Sequence, residues 1–396
     1  MGRVNRRVGQ EAEVKFPVTY LTGSLGVIML QNVTRGRTAS RNTHFTSIQM
    51  LRGIAALMVV LFHLVNAEVV HGRGASLLGG SLAEYGYGGV DLFFVISGFV
   101  MTTVMAGRFG STTGAVRFLA KRGLRILPLY WLFTTAIVLL LLVRPGAVDG
   151  TYHDKSILAS YLLLPQPTLP LLQVGWTLIY EAFFYLMMAL AIALVSERRV
   201  LAFFAAWTVA LLAMQLIPGD SPVWLIVSSP MGWEFIFGAL IGMYWRRLPA
   251  RLAAGFAITG GIGFAAGAVL LQMQYVQGGD AALTRTIAFG LPSALLLTGL
   301  VRWERADRSF SRSVFLLVGD ASYSIYLSHL FVLSIGARLW SASGWNESVW
   351  QHCAFILGMM IACVVGGLIC HRWIEKPLLN TSKAATRRLL SAAQSA

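Results

Sequence analysis

Residues 48–66 read IQMLRGIAALMVVLFHLVN. The run is almost wholly apolar and, at ~1.5 Å per residue, long enough to cross a bilayer. Arg52 and His63 interrupt it, eleven residues apart. At ~100° and ~1.5 Å per residue they project from nearly one face, roughly 16 Å apart along the axis. One helix therefore carries a fixed cation near one membrane surface and a titratable imidazole towards the other. Ionisable groups at such depth are costly and as a rule mark a functional path.

The rest of the chain extends that pattern. Of its 396 residues 56% are hydrophobic and 12% charged, against about a quarter charged in soluble domains. A chain this apolar cannot hide its surface in one soluble core, so it reads as an all-α polytopic membrane protein. Hydropathy places about ten transmembrane helices, near 48–66, 86–106, 124–143, 173–195, 200–217, 223–245, 252–271, 284–301, 314–340 and 350–371. The net charge of +15 sits between the apolar runs, which argues against nucleic-acid binding and for the positive-inside rule. Arginine and lysine crowd the segment before the first span, the second loop (Arg108, Arg117, Lys121, Arg122, Arg125), and Arg198–Arg199. They recur at Arg246, Arg247 and Arg251, then at Arg302–Arg312, and in the C-terminal tail. The alternate loops are poor in them. This alternation predicts that both termini are cytoplasmic.

Three units are expected: a basic, disordered tail over 1–46, a transmembrane domain over 47–376, and a basic cytoplasmic tail over 377–396. The tail has no clear signal peptide, and Met29 and Met50 offer later starts. The three cysteines, Cys353, Cys363 and Cys370, fall in or beside the last apolar run and give no disulfide framework. The seven histidines show no metal-ligand spacing, so no metal is expected.

With orientation fixed, depth follows from residue counts. His63 lies about fifteen residues into an outward-running helix, Glu181 about eight into an inward-running one, and His329 about fifteen into another outward-running one. All three are expected at similar depth, on the order of 10 Å below the outer surface. Each has a structural alternative. His63 could be a packing histidine, Glu181 a structural carboxylate in a stripe with Thr177 and Tyr185, and His329 a partner of Ser322 and Tyr326. Asp91 opens the second span and either acts there or caps and pairs locally. Arg52, Arg122 and Arg125 near the cytoplasmic surface read either as snorkelling charge or as a phosphate-binding collar, with Asp320 as a possible partner. Ser97 lacks a G-x-S-x-G context and reads as packing.

The motifs LRGIAALMVVLFH, GGVDLFFVISGF, KRGLRILPLYW, GWTLIYEAFFY, GDASYSIYLSH and IEKPL together resemble the integral-membrane acyltransferase family 3, of the exopolysaccharide-acetylating type. The resemblance runs over roughly 47–380. It implies transfer of an acyl group, usually acetyl, from cytoplasmic acyl-CoA to a hydroxyl on a carbohydrate or glycolipid acceptor. The enzyme would sit in the bacterial cytoplasmic (inner) membrane, with lipid around it. The family's essential arginine and histidine correspond to Arg52 and His63, and its arginine pair to Arg122 and Arg125. Glu181 and His329 join His63 and Arg52 as catalytic candidates, and Asp91 and Tyr326 as supporting residues. On this reading His63 is the general base, Glu181 sets its tautomer or holds the acceptor, and His329 donates to the oxyanion. A transporter or flippase of a glycolipid or small anion is the rival, since ten spans with buried charges would suit it too. Against it stand the absence of an evident inverted repeat and the cation-then-base order on one helix.

Overall fold

The computed structural model describes residues 45–74, 76–143, 155–274, 281–305 and 314–382. The expected N-terminal tail lies outside these residues apart from Phe45 and Thr46, and the C-terminal tail is described only to Ser382. The described chain is helical, without strands. In order, the helices are α1 (Thr46–His71), α2 (Gly89–Met105), α3 (Thr112–Val143), α4 (Ile157–Leu162), α5 (Trp176–Leu194), α6 (Val200–Met214) and α7 (Pro222–Val227). They continue as α8 (Gly232–Tyr244), α9 (Ala253–Gln274), α10 (Ala281–Arg285), α11 (Leu291–Glu304), α12 (Val314–Asp320), α13 (Ser322–Ser343) and α14 (Val349–Cys370).

Among the described residues, nine helical segments are long and apolar enough to cross a membrane. The protein is an all-α, polytopic membrane protein. Two of the ten expected spans differ from their sequence outline. The segment at 200–217 is only the 15-residue helix α6, about 22 Å long. It nevertheless joins opposite ends of the bundle. Its start adjoins the α2–α3 loop, where Gly107 N–H donates to Glu197 at 3.0 Å. Its end lies where Gln215 Nε2 donates to the Ser228 carbonyl at 2.6 Å, just ahead of α8. The span expected at 314–340 breaks at Ala321 into α12 and α13. The break lets α12 press on α1, so closely that a Cβ at Gly319 would lie 1.9 Å from the Gln49 carbonyl oxygen.

Two devices set the helices that build the site. The first turn of α1 has no side-chain cap of its own, which would leave its amide donors unpaired. Glu304 of α11 supplies the cap, accepting from Thr46 N–H at 2.8 Å and Ser47 N–H at 3.0 Å. A carboxylate there also complements the positive end of the helix dipole. Between α2 and α8 the backbones touch through glycine. A Cβ at Gly98 would lie 2.1 Å from the Phe235 oxygen, and one at Gly238 1.9 Å from the Val95 oxygen. Without a hydrophobic drive between helices in lipid, such close van der Waals approach is what holds them. The apolar side chains left on the outer faces of α3, α9 and α14, such as Leu142, Ile262 and Leu357, meet lipid rather than water.

Candidate active site

One end of the bundle gathers the cations. There α1, α2, α3, α5 and α13 enclose a cavity of about 270 Å³. Arg52 reaches it from α1, Arg122 and Arg125 from α3, Glu181 from α5 and Tyr326 from α13. Among the described residues none of the three arginines makes an ion pair. Asp320, the expected partner, forms no ion pair among the described residues. Arg52 Nη1 donates to Gln49 Oε1 at 3.4 Å. Arg122 lies over the rings of Phe118 and Tyr185, at 5.5 and 5.9 Å from their centroids. Three guanidinium groups around one low-dielectric opening focus a positive potential into it and draw anions.

Glu181 is the acidic group within the cavity. Its Oε1 accepts from Ser97 Oγ at 2.9 Å and from Tyr185 Oη at 2.6 Å. The i,i+4 spacing of Glu181 and Tyr185 on α5 makes the second contact local. Ser97 is therefore more than packing: its hydroxyl orients a cavity carboxylate. A polar side chain on the lining face of α2, four residues after Phe93 and seven before Val104, was the sequence signal for it.

The far wall of the cavity is a hydroxyl cluster. Thr177 Oγ1 and Tyr326 Oη lie 2.8 Å apart, and each meets the Val174 carbonyl at 3.0 Å. Beyond Tyr326 lies His329, with ring centroids 6.0 Å apart, and His63 packs against His329 at 5.1 Å. His329 is fully buried and His63 half-buried. Neither imidazole lines the cavity; Tyr326 stands between. His329 Nδ1 donates to the Ile325 carbonyl at 3.1 Å, and among the described residues its Nε2 has no partner. A neutral His329 so held carries its lone pair on Nε2 and accepts rather than donates. The oxyanion-donor role expected for it does not suit that tautomer.

Only part of the expected convergence is present. His63 and His329 meet, but Glu181 does not join them. Thr177 is level with Tyr326, Glu181 lies one turn further towards the arginines, and His329 three residues the other way. That separates Glu181 from His329 by on the order of 10 Å along the bundle. Depth counted from residue 173 misled because the chain before α5 already runs inside the protein. Leu171, Leu172 and Val174 are buried, and Tyr130 donates to the Ser160 carbonyl at 2.6 Å beneath that segment.

The other end of the bundle holds a paired cation. Asp91, fully buried at the start of α2, takes Arg285 in a fork. Nε lies 2.9 and 3.0 Å from its two oxygens and Nη2 2.8 Å from Oδ2. Its pairing is thus not local, as the sequence allowed, but reaches 194 positions along the chain. Glu234 of α8, also fully buried, packs beside the pair against Gly290. Sequence reading passed over it, although a lone carboxylate in GWEFIFGALIG was the same kind of signal as Glu181. Among the described residues no group of three His, Cys, Asp or Glu side chains is arranged to hold a metal ion.

Comparisons with known proteins identify the family of this helical bundle. The family model described as "Acyltransferase domain", acyltransferase family 3, matches residues 45–371. The chain belongs to this family and is an O-acyltransferase embedded in the membrane. It is 32% identical over 316 residues to the exopolysaccharide production protein ExoZ of Rhizobium meliloti (strain 1021), covering 76% of this chain and 91% of that one. It is 25% identical over 376 residues to the acyltransferase MdmB of Streptomyces mycarofaciens, covering 86% and 93%. Nodulation protein 10 of Rhizobium leguminosarum bv. viciae is 24% identical over 391 residues, covering 88% and 97%. No solved structure matches the chain.

Proposed function

We propose that the protein moves an acetyl group from cytoplasmic acetyl-CoA to a hydroxyl of an exopolysaccharide or related glycan, from within the bacterial inner membrane. The observation that carries this reading is the cavity itself: three guanidinium groups at its mouth with no ion pair among the described residues, and a hydroxyl wall at its far end, one layer below His63 and His329. Guanidinium forks suit phosphate oxygens, so Arg122, Arg125 and Arg52 receive the CoA phosphates at the cytoplasmic face. The pantetheine arm fills the cavity past Glu181, whose carboxylate accepts from its amide N–H groups. Glu181 thus acts on the donor rather than on the tautomer of His63.

The thioester carbonyl arrives at Tyr326 and the acceptor hydroxyl from the opposite side. His63 takes the hydroxyl proton as its oxygen attacks the carbonyl carbon, a gain of roughly 10²–10⁴-fold. His329, its ring packed against that of His63 at 5.1 Å between centroids, holds it in position. Collapse of the tetrahedral intermediate breaks the C–S bond. The thiolate leaves, and the imidazolium returns the proton to it. The similarity to a protein named for exopolysaccharide production supports the glycan acceptor.

The reading is tested on His63→Ala in detergent. The variant is expected to bind acetyl-CoA as the wild type does and to transfer no acetyl group. Transfer at a near-normal rate would refute it.

A further inference from the structure

Five half-buried side chains at the bundle end opposite the arginine collar form one continuous strip. It starts at His63, which packs on Phe62 at 4.9 Å between ring centroids, and Phe62 on Tyr87 at 5.5 Å. Tyr87 is covered by the guanidinium of Arg285 at 4.8 Å, and that same guanidinium lies over Trp176 at 5.5 Å. Aromatic side chains at helix ends in a membrane protein ordinarily form an interfacial belt turned to lipid. These two rings differ, because both are turned to one cation. The cation cannot swing away. Asp91 holds Nε and Nη2, and Nη2 also donates to the Tyr87 carbonyl at 3.2 Å. Its Nη1 edge makes no hydrogen bond among the described residues, and the side chain remains 14% accessible.

Rigid aromatic faces, an immobilised guanidinium with an open edge, and a path of contacts ending on the proposed base are what a sugar ring needs. Its C–H face is apolar and packs on aromatic rings, while its hydroxyl and ring oxygens accept from fixed N–H donors. We infer that this strip is the acceptor subsite and that it takes a pyranoside ring, packed on the sides of Tyr87 and Trp176 that Arg285 leaves uncovered, hydrogen-bonded to Arg285, with the hydroxyl to be acylated turned to His63. The inference rests on the acyl-transfer reading and adds where, and by which groups, the acceptor is recognised.

Saturation-transfer NMR tests it, with methyl β-D-glucopyranoside as probe and the full-length protein in a detergent without a sugar headgroup. Ring C–H protons are expected to receive saturation from the wild type. The effect should fall at least fivefold in Trp176→Ala and in Tyr87→Ala and be largely restored in Trp176→Phe. Acetyl-CoA affinity, measured on the same samples, should be unchanged in all of them, which also shows that the variants are folded. Equal glucoside signals in wild type and Trp176→Ala would overturn the subsite while leaving the donor reading intact. So would the absence of any ring-proton signal, or saturation of glycerol phosphate in place of the sugar, which would mark a lipid-headgroup site. A wild type that binds the glucoside but not acetyl-CoA would instead sink the donor reading.

Discussion

Arg285 and the trio of Arg52, Arg122 and Arg125 occupy opposite ends of one helical bundle and live under opposite rules. Arg285 is held in a fork by a fully buried carboxylate and flanked by two rings. The trio faces a cavity with no ion pair among the described residues. A buried charge without a partner is expensive, so the first arrangement is already neutralised by its carboxylate and the second awaits an anion. Removing a counter-charge should therefore damage the structure at one end, whereas removing a cation should damage only binding at the other.

The largest effect is expected at the base. His63→Ala should lower acetyl transfer by about 10²–10⁴-fold with an unchanged melting temperature in detergent, read from radiolabelled acetyl incorporation. Next comes the paired end. Asp91→Ala removes the fork that holds buried Arg285, leaves only Glu234 beside it, and should cost about 3–5 kcal/mol of stability, seen as a large drop in melting temperature before any assay is run. The unpaired end should behave in the opposite way. Arg122→Ala should leave the melting temperature nearly unchanged and weaken acetyl-CoA binding by roughly tenfold or more, the loss of a charged hydrogen bond of about 1.5–3 kcal/mol. If Arg122→Ala melts as early as Asp91→Ala, the contrast between the ends is wrong. The smallest effect is expected at the wall between cavity and imidazoles. Tyr326→Phe removes contacts to Thr177 and Val174 worth about 1 kcal/mol, and should change the transfer rate without changing acetyl-CoA affinity.

The same contrast explains what could be read in advance. Hydropathy and charge alternation outlined the helices because each span answers to its own local composition. They missed only where tertiary contact overrides length, as in short α6 and at the break that seats α12 on α1. Helical phase put Arg52 and His63 on one side of α1, and they do face the interior together. Arg122 and Arg125 fell into the same cavity because they too sit near the ends of their own spans. What could not be read was whatever depends on two distant segments. Asp91 and Arg285 are 194 positions apart, and nothing in either neighbourhood names the other. Glu181 was assigned too far from the arginines because the chain ahead of α5 dips into the bundle before the helix begins. Ser97 looked inert until α5 brought a carboxylate to it.

The most direct test is a structure of the protein with a non-transferable acetyl-CoA analogue bound. Phosphate oxygens are expected against Arg122 and Arg125, the pantetheine arm beside Glu181, and the acyl carbonyl carbon within reach of a hydroxyl oxygen placed by His63, at roughly 3–3.5 Å. A cofactor bound elsewhere, or a cavity left empty while the acyl group lies far from His63, would contradict it.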